Sequence, residues 1–382
     1  METGLIALGV RNLLPSHDVT VPLATSYFGT WERLYRVIHV PSFWKQYHDI
    51  CVGIRQPSLS FEILTLAILV LGERAMVQAS MEDLESTRAR LELFSRWTDC
   101  IENYCFLLVE NKRLDLTAMQ TLCLFTLYKA TTCDRNEALK WTQKLVKCAV
   151  QTDLHKDPSK LNPRISPFEI EIRRRLWATI LEIDIQVSLE HGNSPPWTIN
   201  MDHDVQEPSN LDDVELHPHL TLVPPGISVT KRSDCRILIV LRRCQKLRIE
   251  ILGKTFSNEN EEKMKDPVLF NRLMRLLLTK LDSMFTSPNI SSLDPESELL
   301  LRLHVLRASL KVIQGLTFRA VKFTQLQNTL TTYYKYALNY LQLYLELSPS
   351  TRNGSLLSST LFEALSPVVY TQSDGFQLSS KF

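Results

Sequence analysis

The stretch from Ser166 to Gly192 limits what this chain can fold into more than any other. Ser166 supplies an N-cap, Pro167 takes the first helical position and Glu169 completes a capping-box pattern. Gly192 offers a C-terminal stop. Between them Phe168, Ile172, Leu176, Ile180, Ile183 and Val187 recur as an apolar stripe, and Ile170, Trp177, Leu181, Ile185 and Leu189 place apolar groups on other sides. A helix apolar around most of its circumference is a central, buried one. Its shell is read as more helix. With only 11 glycines the chain is poor in the residue that turn-rich sandwiches and glycine-looped nucleotide folds need, and it is rich in leucine, a strong helix former. The fold class that follows is all-α, a multi-helix bundle.

Inside this helix Arg173, Arg174 and Arg175 stand in a row. Three consecutive positions sweep about 200° of a helix, so they cannot all avoid the core. A buried charge needs a partner, because an uncompensated one costs about 3–5 kcal/mol. The expected partners are Asp184, on the side of Trp177, or an acid between residues 202 and 215. An anion-binding role is the alternative to an internal ion-pair network.

Around the central helix the pattern is punctuated throughout. Residues 1–30 read as a lead-in segment. A helical pattern runs from about 28 to 38, is interrupted by Pro41 and resumes at Phe43; further helices are expected near 59–78, 81–110, 114–131 and 136–152. Residues 193–229, with six prolines and several acids, form a long acidic, proline-rich loop. Helices then follow at about 231–253, 267–285, 295–318 and 322–347. The helical domain is thus bounded at 31–347, and 348–382 is a C-terminal tail with one short helix near 357–365.

The chemistry that the sequence lacks narrows the function. No G-x-G-x-x-G, phosphate loop, G-x-S-x-G elbow or H-E-x-x-H occurs. Asp212-Asp213-Val214-Glu215 is too short a carboxylate run, in a proline-rich loop, for the magnesium site of a diphosphate-ionising enzyme. His191, His203, His217 and His219 lie near Asp202 and Asp204, but their spacing matches no dedicated zinc site, and they read as a solvated acidic loop. Lys231, Arg232, Arg236, Arg243 and Lys246 read as the solvated face of a helix. Forty-three basic against 42 acidic residues leave a charge of +1, no broad field for nucleic acid. The eight cysteines include no C-x-x-C and read as reduced core thiols, which points to an intracellular, soluble protein. No apolar run reaches membrane-spanning length.

Several residues together resemble a known family. Leu154-His155-Lys156-Asp157, then Ser166-Pro167, then Glu171, Arg173, Arg174, Arg175 and Trp177, with Asp184, Ser188, Gly192 and Pro195 beyond, are similar to the middle homology region of fungal-specific transcription factors. Asp202-His203-Asp204-Val205 and Pro208 resemble its acidic exit. Upstream, His39, Pro41, Ser42 and Phe43 resemble the family's His-x-Pro-Ser-Phe, and Leu14-Pro15-Ser16 stands where such domains begin. Asp153 replaces the usual glycine, Ala178 a tryptophan, and Ile185 and Asn193 two arginines.

The resemblance implies a transcription regulator, a nuclear location and control of a metabolic or secondary-metabolite pathway. It implies partners in the transcription machinery or a full-length regulator, a small-molecule effector and homodimer formation, with DNA reached only indirectly. Zinc is expected only in an N-terminal binuclear cluster that this sequence does not contain; in the chain itself no cofactor, metal or catalytic residue is expected. The competing classes are a helical-bundle biosynthetic enzyme and a decoy, unable to bind DNA, that sequesters a full-length regulator.

Overall fold

The structure is a computed structural model that describes residues 13–76, 84–111, 114–132, 134–161, 164–191, 201–222, 233–256 and 323–347, together with Val10, Thr198, Gly226 and some positions between 272 and 310. Every extended regular element among them is an α-helix, as composition and periodicity predict. In chain order they are α1 (His17–Gly29), α2 (Trp31–Leu34), α3 (Val40–Cys51), α4 (Leu59–Ala75), α5 (Leu84–Asn111), α6 (Leu116–Ala130), α7 (Arg135–Gln151), α8 (Pro158–Leu161), α9 (Pro167–His191), α10 (Arg236–Phe256) and α11 (Phe323–Glu346). The helices expected at 267–285, 295–318 and 357–365 fall largely or wholly outside the described residues.

The segment read as a lead-in is helical over His17–Gly29. Leu23, Ala24 and Tyr27 of α1 are buried, and α1 packs along α4. Pro22 lies in the second turn, where it forfeits one backbone bond but leaves the rest of the helix intact. The single helix expected over 28–38 is instead broken at Thr30. Glu32 is the cause: its carboxylate accepts from the Tyr27 hydroxyl at 2.5 Å and from the Ile38 amide at 2.8 Å, folding the chain back on itself. Pro41 starts a helix rather than interrupting one, since it lies in the first turn of α3 behind the N-cap His39.

Helix α4 is buried almost end to end, from Phe61 through Gly72. It packs on α1, α5 and α6, and α6 packs on α7. Both α4 and α6 begin with a side-chain cap, Ser58 Oγ accepting from Phe61 N and Asp115 Oδ1 from Ala118 N. Helix α9 runs through the centre, contacting α6, α7, α8 and α10, and Ile172 and every residue from Arg174 to Glu190 are buried. None of the described helices is long and apolar enough to cross a membrane. The described cysteines are unpaired thiols.

Candidate functional site: the arginine seam of the central helix

One residue of the family motif is strained, and the strain explains a departure. After α7 ends at Gln151, Asp153 adopts φ 56°, the left-handed region. Its amide donates to Val150 O at 3.1 Å and that of Leu154 to Ala149 O at 2.9 Å, closing the helix. Glycine adopts this conformation freely, and aspartate is among the few others that tolerate it. The turn delivers Leu154 into the core and Asp157 to the flank of α9.

Asp157 has no exposed surface and is the hub of the first arginine site. Arg174 grips it with two bonds, Nε to Oδ2 at 3.0 Å and Nη2 to Oδ1 at 2.9 Å. The Gln206 amide donates to Oδ2 at 2.9 Å, and the Ser159 amide and hydroxyl donate to Oδ1. Burial alone would raise the Asp157 pKa; the bonds from Arg174, Ser159 and Gln206 overcome it and hold the carboxyl well below the usual range. The loop returns the contact, Asp204 accepting from the Asp157 amide at 2.7 Å and from Lys160 at 2.9 Å.

Arg175 makes the second site. Its Nη1 donates to Asp213 Oδ1 at 2.6 Å and its Nη2 to Leu211 O at 3.3 Å, and Glu171 lies 3.5 Å away. Asp213 also pairs with Arg36, and its Oδ2 accepts from the Val40 amide at 3.1 Å. Burial pushes the Asp213 pKa up, but Arg36 and Arg175, with the Val40 amide, bring it below normal. Glu171 accepts from the Ser209 amide at 2.8 Å. His39 completes the knot. Its Nε2 donates to Asp213 O at 2.9 Å while Nδ1 accepts from Ser42 N, so the ring is neutral, and burial lowers its pKa accordingly. Arg173, half-buried, pairs along the helix with Glu169 at 2.9 Å.

The arginine expectation therefore holds for Arg175, which takes an acid of the 202–215 loop, but none of the three arginines pairs with Asp184. That carboxylate accepts from the Thr198 amide at 2.8 Å and hydroxyl at 2.7 Å. Trp177 is buried with the His203 ring edge-on at 5.6 Å and the His155 ring at 6.5 Å. Phe43 is buried among Phe28, Trp44 and Phe61, Ser188 is buried, and Gly192 lies outside the described residues.

Two sequence readings need correction. The acidic loop is not simply solvated: Val205, Asn210, Leu211, Asp213 and Leu216 are buried, because its acids and amides satisfy the arginines and Glu171 of α9. The basic helix does not present all its charges to water either. Arg236 is buried, and Arg243 forks onto Glu207 with two bonds of 2.8 Å. Lys231, Arg232 and the Lys246 side chain lie outside what is described.

A further buried pair escaped sequence reading. Arg248 of α10 donates to both oxygens of Glu182, at 2.9 and 2.6 Å, and Gln186 links Glu182 to Arg307 with bonds of 2.7 and 2.8 Å. The available signal was the polar residues themselves, Glu182 and Gln186, on a helix with no solvent face. Among the described residues no group of three or more His, Cys, Asp or Glu is placed to hold a metal ion.

The sign of the Asp157 shift sets a prediction. A carboxyl held below its unfolded value of about 3.9 contributes stability that is present above that pH and lost progressively as pH falls from there to its lower folded-state value. Asp157→Asn is expected to lose about 1–3 kcal/mol at pH 7 and to unfold with a shallower pH dependence below about pH 5. Urea titrations at several pH values check this; an unchanged acid limb would show that Asp157 is not the group involved.

The fungal specific transcription factor domain matches residues 24–286. The chain belongs to this family. The match starts within α1 and extends through α10, well past the motifs that carry the resemblance. Transcription factor asR3 of Sarocladium schorii is 30% identical over 260 residues, 67% of this chain and 29% of that protein. Transcription factor opdR of Penicillium oxalicum is 26% identical over 256 residues, 67% of this chain and 31% of that protein. The aspyridones cluster regulator apdR of Emericella nidulans is 37% identical over 113 residues, 30% of this chain and 15% of that protein. This chain thus spans less than a third of the length of these relatives. No solved structure matches it.

Proposed function

We propose that this domain regulates transcription, as the control module for a biosynthetic gene cluster, and that it acts in the nucleus through protein partners or a small-molecule effector rather than by catalysis. The observation that carries the reading is the family match across α1 to α10, joined to relatives whose names are those of transcription factors and a cluster regulator. The arginine seam supports it. Its charged groups are spent on one another, with Asp157, Asp213 and Glu182 each held by arginine, which is a structural and not a catalytic disposition. Contact of this chain with DNA is indirect in this reading, since a charge of +1 offers no phosphate-binding field.

Deleting the gene and profiling transcripts tests the proposal. The expected result is a coordinated change, several-fold or more, in one set of neighbouring biosynthetic genes, reversed by reintroducing the gene. Transcripts that stay unchanged under conditions where the gene is expressed would overturn it.

A further inference from the structure

A cavity of about 330 Å³ opens between α3, α4, α6 and α9, a volume at the lower end of small-molecule sites, roughly 300–1,000 Å³. Its apolar wall consists of Phe43, Phe61, Leu64, Phe168 and Ile172, with Phe43 and Phe61 stacked obliquely at 5.5 Å. Its polar wall includes His39, Ser42, Gln46, Arg55, Thr117 and Gln120.

The charge on this lining has one sign. Arg55 is exposed at the cavity and has no ion-pair partner among the described residues. No carboxylate lines the space. The linings from α3, α4, α6 and α9 include Ser42, Ser60, Thr117 and Phe168, each in the first turn of its helix. Helix N-termini carry partial positive charge, but an acid meets each of these four, Asp213 at the Val40 amide of α3, Glu62 in the first turn of α4, the Asp115 cap of α6 and Glu169 in the first turn of α9, so the positive charge of the lining is that of Arg55. His39 adds no charge, being neutral and occupied by Ser42 and Asp213.

We propose that this cavity is a binding site for a small organic monocarboxylate, its carboxylate at Arg55 and its aromatic or aliphatic body against Phe43, Phe61 and Leu64. The proposal deepens the regulatory reading by giving the effector a place and a chemical class, and its biological meaning rests on that reading. The site is wired to the arginine seam. Ser42, on the cavity wall, bonds to His39 at 2.6 Å, and His39 bonds to Asp213, the shared partner of Arg36 and Arg175. A ligand packed on His39 and Ser42 therefore stabilises the closed knot, and by linkage raises the stability of the fold.

Calorimetric titration and thermal unfolding of the purified chain test the site, with phenylacetate and octanoate as acids and phenylacetamide as the neutral match of the first. The expected result is saturable binding of at least one acid and a rise in Tm, with the amide bound at least about tenfold more weakly. Arg55→Gln, a surface change that leaves the fold intact, is expected to remove that preference. No saturable binding of either acid up to about 10 mM overturns the proposal, and so does an amide that binds equally well or an Arg55→Gln variant that binds the acid unchanged. These measurements contain no transcript readout, so they fail or succeed independently of the gene-deletion test.

Discussion

Replacing Arg175 with methionine is expected to cost this domain roughly 3–5 kcal/mol of folding stability, a large share of the about 5–15 kcal/mol that a domain has in total. The Arg175 side chain is 2% exposed and that of Asp213 4% exposed, so neither charge can turn to water when the other is removed. Methionine keeps much of the side-chain volume, which confines the loss to electrostatics and hydrogen bonding. What remains is a buried Asp213 shared by Arg36 and the Val40 amide, a Leu211 carbonyl without its donor, and Glu171 held only by Ser209. The double variant Arg175→Met, Glu171→Gln removes the carboxylate left without its ion-pair partner, while Asp213 keeps Arg36, and is expected to recover part of the loss. Denaturant unfolding of the single and double variants measures both. A single variant within about 1 kcal/mol of the native protein would show that the knot contributes little.

How much of this was legible in advance follows from the kind of information each feature uses. Helices α4 to α7, α9 and α10 could be read because their apolar periodicity and caps are local: Ser58, Asp115 and Ser166 each cap the helix that follows. Arg173 to Arg175 announced a buried network because three adjacent charges cannot share one solvent face. Their partners were only half legible. Asp157 lies 17 residues from Arg174 and Asp213 lies 38 from Arg175, and nothing local in a proline-rich loop says which acid turns inward. The break at Thr30 was hidden for the same reason, since a helical pattern from 28 to 38 is locally sound and only the bonds from Tyr27 and Ile38 to the buried Glu32 overrule it. Asp153 shows the reverse. Its place as a departure from the family's glycine was visible in the sequence, and the positive φ supplies the physical reason for that glycine.

Gly72→Ala is expected to destabilise the domain by about 3 kcal/mol or more, the upper end for overpacking a core, even though alanine is favoured over glycine in a helix interior by about 1 kcal/mol. A Cβ at this position overlaps the Leu23 carbonyl oxygen and lies 2.8 Å from the carbonyl carbon and 3.3 Å from Cα. These are backbone atoms of α1, which cannot rotate aside as a flexible side chain would. Moving α1 away would also stretch the bond from Ser26 Oγ to Gly72 O, 2.9 Å, and disturb Trp31, whose Nε1 donates to Leu71 O at 3.0 Å. The close approach is thus held from both sides and glycine is what permits it. Gly29 provides the control, because a Cβ there meets nothing within 4 Å and its φ is ordinary, so Gly29→Ala is expected to be neutral or to gain up to about 1 kcal/mol. Thermal and urea unfolding of the two variants side by side separate helix propensity from steric contact. If Gly72→Ala matched Gly29→Ala in stability, the α1–α4 contact would have to be looser than the structure places it.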